Sequence, residues 1–191
     1  MGKILRIVGI ILVALTIAFQ FLGGIGTSCV ALGAEKYGPE MAPIVPYKWL
    51  YQIIMVLTII VAVYGIRTTV RLARGKAGAT KETIIVLFIT LVLSGIQMIA
   101  SEILRGASTP TNMRVYFTIL TLIVLGVFHI PSIREKVNFE RVSDDSKKSA
   151  SGMAMIMAGA LMLSIEAIST PSHTFSNGIN YALDYHIPLM I

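Results

Sequence analysis

Ser94, Gln97, Ser101 and Arg105 recur at intervals of 3, 4 and 4, which puts them on one face of a helix, and Thr90 extends the stripe. Most of the residues between them are Ile, Leu, Val and Met. Hydroxyl and amide groups in such a setting have two uses: hydrogen bonding between helices, or lining a pocket for a small molecule or ion. Glu102 stands three residues before Arg105, a spacing that allows an ion pair along the helix. Thr16, Gln20 and Thr27 make a similar stripe earlier in the chain. Glu166 is a carboxylate near the end of another apolar stretch, and His173 follows it closely. Gln20, Ser94, Gln97, Ser101, Glu102, Arg105, Glu166 and His173 are therefore expected to form one polar site opening toward the outer side of a membrane. If Gln97 merely packs, Gln97→Leu should be close to neutral, since an apolar side chain of similar shape leaves no amide unpaired.

No catalytic set accompanies that site. The single cysteine, Cys29, excludes an internal disulfide, a CxxC redox pair and a cysteine zinc cage. His129, His173 and His186 have no zinc-type spacing such as HExxH, so neither a metal nor another cofactor is expected. Serine–histidine and Gly-rich phosphate motifs are absent as well. The expectation leans away from an enzyme.

The elements that position these residues follow from composition. Of 191 residues, 55% are hydrophobic and 14% are charged. Soluble domains carry about 25% charged residues. The mean hydropathy of +0.78 points to a polytopic membrane protein. The +6 net charge is then a topology signal, because a nucleic-acid-binding domain would not bury its basic residues among aliphatic runs. Crossing the hydrocarbon takes about 20 apolar residues in a helix. Five windows approach that length: 7–25, 49–66, 83–103, 115–133 and 150–168. The expected fold is all-α, a single membrane domain over residues 1–191 with five transmembrane helices. An outer loop, 26–48, and an outer tail, 169–191, complete it.

Orientation comes from Lys and Arg. One side collects Lys3, Arg6, Arg67, Arg71, Arg74, Lys76, Lys81, Arg134, Lys136, Arg141, Lys147 and Lys148. The other has only Lys36, Lys48, Arg105 and Arg114. This predicts a cytoplasmic N-terminus, an outer C-terminus and a prokaryotic inner (cell) membrane location. Arg67, Arg71 and Arg74 share a helical stripe suited to anionic lipid headgroups. Tyr37, Tyr47, Trp49, Tyr51, Tyr116, Tyr181 and Tyr185 gather on the outer side, as if the loop and tail formed a cap. Ala154, Ala158 and Gly159 would allow close approach of another helix. Two functional readings follow. The first is an accessory or oligomer-forming subunit, as a homo-oligomer or in a larger membrane complex. The alternative is a binding or conducting protein for a small molecule or ion. Membrane lipids are the expected partners, and nucleic acid is not.

Overall fold

The computed structural model describes residues 2–140, 144–164, 174 and 178. The elements in order are α1 (Gly2–Gly33), two 3-10 segments (Ala34–Lys36 and Pro39–Tyr47), α2 (Lys48–Ala73), α3 (Ala79–Arg105), α4 (Thr111–Phe128), α5 (Pro131–Val137) and α6 (Asp144–Leu163). Among the described residues, four helical stretches are long and apolar enough to cross a membrane: Gly2–Lys36, Pro39–Ala73, Ala79–Arg105 and Thr111–Phe128. α6 is not one of them; it opens with the polar run Asp144-Asp145-Ser146-Lys147-Lys148, and the window 150–168 leaves the described residues after 164.

Two boundaries differ from the expected ones. The stretch 26–48 is not all loop, because α1 continues to Gly33. Thr27 donates to the Gly23 carbonyl at 2.6 Å, so its hydroxyl is satisfied inside the helix. Thr27 and Ala31 also keep the buried seam running. The fourth window is too long at its far end: α4 stops at Phe128, and Pro131 begins a separate short helix. Ile130, before the proline, is extended (φ −60°, ψ 130°), as crowding by the proline ring requires.

The four long helices share one pattern. In α1 the buried residues Ile10, Val13, Ile17, Gln20, Gly24, Thr27 and Ala31 alternate at spacings of 3 and 4. In α4, Thr111, Arg114, Thr118, Thr121, Leu125 and Phe128 do the same. That 3.5-residue period is the one by which helices cross at a shallow angle and interlock along their length. Pairings fix the directions. Thr16 meets Thr121 (2.7 Å) and Gln20 meets Arg114, so α1 and α4 run antiparallel. Thr27 meets Gln97, toward the end of α3, and Arg6 meets the end of α2.

Apolar residues fill the bundle at both ends. Ile10, Val13, Leu72, Val86, Leu87, Leu125 and Phe128 close the end where α1 begins, and Ala150 and Ala154 of α6 pack into the same cluster. Ala31, Ala34, Met41, Ile44 and Tyr51 close the other end, where the second 3-10 segment folds over it. Gln20, Gln97 and Arg114 are buried between the two clusters. α1 and α2 approach closely at Gly65, where an added Cβ would sit 2.5 Å from Ile17 Cδ1 and 3.1 Å from its other two branch carbons. Gly65→Ala should cost about 1–3 kcal/mol, because a packed interior cannot absorb a methyl group without displacing its neighbours. A thermal melt in detergent checks this; an unchanged melting temperature would show that α1 and α2 are not in this contact.

Candidate functional site

The polar layer is organised by a residue that the spacing argument placed on the outer surface. Arg114 stands in the first turn of α4, yet it is 6% exposed, and its guanidinium reaches into the bundle. Its Nη1 donates to Gln20 Oε1 of α1 at 3.4 Å, and its Nη2 donates to Gln97 Oε1 of α3. Gln97 Nε2 in turn donates to Thr27 Oγ1 at 2.8 Å. Gly23 makes this possible: a Cβ there would lie 2.5 Å from Arg114 Cδ and 2.6 Å from its Nε and Nη1. Counting about 1.5 Å per residue, Gln20 lies roughly 4 Å from the midpoint of α1. The guanidinium is buried between α1, α3 and α4, on the inner side of the first turn of α4.

Neither of the ion pairs Lys48–Glu35 and Arg71–Glu82 involves Arg114. Its hydrogen-bond partners are neutral amides. Gln20 is fully buried, and its Nε2 has no hydrogen-bond partner among the described residues. Exchanging its oxygen and nitrogen would turn a donor toward the guanidinium, so Arg114 fixes the amide orientation. On α2, the buried Thr58 Oγ1 also lacks a hydrogen-bond partner among the described residues, while the methyl of the same side chain packs beside Gly24.

The structure divides the expected site. Gln20 and Gln97 come together through Arg114. Ser94 is buried, but it donates to the Thr90 carbonyl of its own helix at 2.7 Å. Ser101 shares a 3.0 Å hydrogen bond with Tyr51 nearer the second apolar cluster. Glu102 is exposed and makes no ion pair with Arg105 among the described residues, whereas Arg105 is half-buried with its Nε unbonded. Glu166 and His173 lie outside the described residues.

Sequence reasoning missed Arg114 because it borders an apolar window and reads as an interfacial charge. The signal that finds it is the 3,4 spacing from Thr111 to Phe128, which puts Arg114 on the seam. Arg6 is a second case. It is 1% exposed and donates to the Ala73 carbonyl at 2.8 Å, satisfying the last turn of α2. Its charge belongs to the interior, where it closes a helix end.

The basic stripe on α2 is only partly free for lipid. Arg71 is held by Glu82 at 2.9 Å, Arg67 lies over the Tyr64 ring at 5.8 Å, and Arg74 is exposed. His129 Nδ1 is 2.7 Å from the Leu125 carbonyl of its own helix. Among the described residues, no three His, Cys, Asp or Glu side chains gather in a way that could hold a metal ion.

Comparison with protein-family models, curated proteins and solved structures gives no match. The helices alone carry the assignment. Long apolar helices in an all-helical bundle mark a membrane protein.

Proposed function

We propose that the chain is a non-enzymatic binding protein of the cell membrane that holds a small molecule or ion in the layer around Arg114, Gln20 and Gln97. The observation that carries this reading is a buried guanidinium with neutral partners beside a buried amide donor with none. Buried polar groups are nearly always satisfied, and a charge in lipid is costly enough to mark function. Apolar clusters above and below the layer suit a site that holds its occupant, and they argue against an open channel. In this reading the window 150–168 makes the fifth crossing. The N-terminus is cytoplasmic and the C-terminus outside, in keeping with the positive-inside bias. Arg67 and Arg74 meet anionic headgroups in a prokaryotic inner membrane.

Native mass spectrometry of protein taken from membranes in mild detergent tests the binding reading. A small-molecule or ion adduct should be present on the wild type and lost on Gln97→Leu. An adduct-free wild type under conditions that keep lipids attached would contradict it. Reporter fusions test the topology: a fusion after Ile191 should be active only outside the cytoplasm, and one at Gly75 only inside.

A second reading, an accessory or oligomer-forming subunit, draws on one observation. α6 exposes Met155 and Ile156, and its Gly152 and Gly159 have open space where a side chain would stand. Crosslinked dimers through α6 would favour it.

A further inference from the structure

Resting on the binding reading above, we propose that the occupant of the polar layer is a small monovalent anion of halide or formate size, held between the Arg114 guanidinium and the Gln20 side-chain amide. Three features lead to that chemistry. The first is the kind of group left over. A guanidinium has five N–H donors, and Arg114 uses Nη1 and Nη2 for one hydrogen bond each among the described residues. Gln20 Nε2 is a pure donor and is unbonded among the described residues. Surplus donors call for an acceptor-rich ligand. A cation would meet the guanidinium head-on and find no carboxylate there.

The second feature is charge balance. Arg114 contributes one positive charge, and its neighbours Gln20, Gln97, Thr27 and Thr118 are neutral. In a low-dielectric layer a monovalent anion cancels that charge, whereas a dianion would leave a net negative charge as costly as the positive one it replaced. The third is size and placement. Gly23 already presses against Arg114, so the guanidinium fills its side of the layer. The free amide nitrogen of Gln20 shares a carbon with the oxygen that Arg114 contacts at 3.4 Å. A single small ion can therefore reach both donors, while a bulky one would have to part the helices.

The test exchanges anions at fixed ionic strength on the full chain in nanodiscs, using sodium salts of chloride, bromide, formate, sulfate and gluconate. Chloride, bromide and formate should raise the melting temperature over gluconate in a saturable way, by about 5 °C at saturation. Sulfate should behave as gluconate does. Arg114→Gln should abolish the shift, and Gln20→Leu should raise the midpoint concentration at least about tenfold. Should Arg114→Gln fail to fold, the chloride NMR linewidth gives a second readout: broadening by the wild type that is relieved in Gln20→Leu supports the site. Equal melting in chloride and gluconate would overturn the proposal, as would an equal chloride shift in Arg114→Gln. A neutral adduct in native mass spectrometry, with no anion response, would overturn the anion while leaving the binding reading standing. Absence of both adduct and anion response would overturn the two together.

Discussion

Gln97→Leu is expected to lower the stability of the protein by about 3 kcal/mol, read as a fall in the thermal midpoint in a fixed detergent or nanodisc. Hydrogen bonds to a charged group are worth roughly 1.5–3 kcal/mol, and a stranded partner adds its own desolvation. Leucine removes the acceptor for Arg114 Nη2 and the donor to Thr27 together. The guanidinium is then left with Gln20 alone at 3.4 Å. The near-neutral outcome expected for a packing glutamine does not apply, since Gln97 touches a buried charge. A midpoint within a degree of wild type would mean that Arg114 does not rely on this amide.

Gly23→Ala is expected to be nearly as damaging, although it adds one methyl group to a helix, where alanine is otherwise favoured over glycine. The new Cβ would overlap Arg114 Cδ, Nε and Nη1 at 2.5–2.6 Å. Relief requires the guanidinium to leave Gln20 and Gln97, so overpacking and lost hydrogen bonds add, for about 2–4 kcal/mol. The effect should depend on the arginine. In an Arg114→Thr background, Gly23→Ala should cost far less, giving a coupling of about 1–3 kcal/mol. The contrast with Gly26 is a control on the same helix: no atom lies within 4 Å of the Cβ that Gly26→Ala would add, and that change should be neutral or mildly stabilising.

Helix type was readable because lipid leaves the backbone no alternative to a helix, but the expected count of five was not matched: among the described residues four helices are long and apolar enough to cross. The seam on α3 was readable too: Thr90, Ser94, Gln97 and Ser101 are all buried, while Phe88, Val92, Ile96 and Ile99 on other faces are exposed. What spacing could not supply was the partner of each polar residue. Ser94 and Gln97 look alike as stripe members, yet one bonds its own helix and the other bonds a charge on α4. That difference depends on which helices are neighbours and which glycine leaves room, and both are tertiary facts. Arg6 and Arg114 were misplaced for a related reason. A long side chain at a helix end can turn outward to headgroups or inward to acceptors. Here the carbonyls of Leu72 and Ala73 and the amides of Gln20 and Gln97 decide for inward. The far end of α1 was set too early because the glycines and prolines across 26–48 read as a loop, although Thr27 and Ser28 satisfy themselves within the helix.

The central claim is that Arg114 is a buried charge held by neutral amides inside the bundle. A double-mutant cycle on thermal unfolding, with Gln97→Leu, Arg114→Met and the two combined in the same nanodiscs, tests it most directly. If the claim holds, the double variant is more stable than Gln97→Leu alone, because removing the arginine also removes the charge that the leucine had stranded. Losses that simply add would contradict it, and would place the Arg114 side chain at the membrane surface, independent of Gln97.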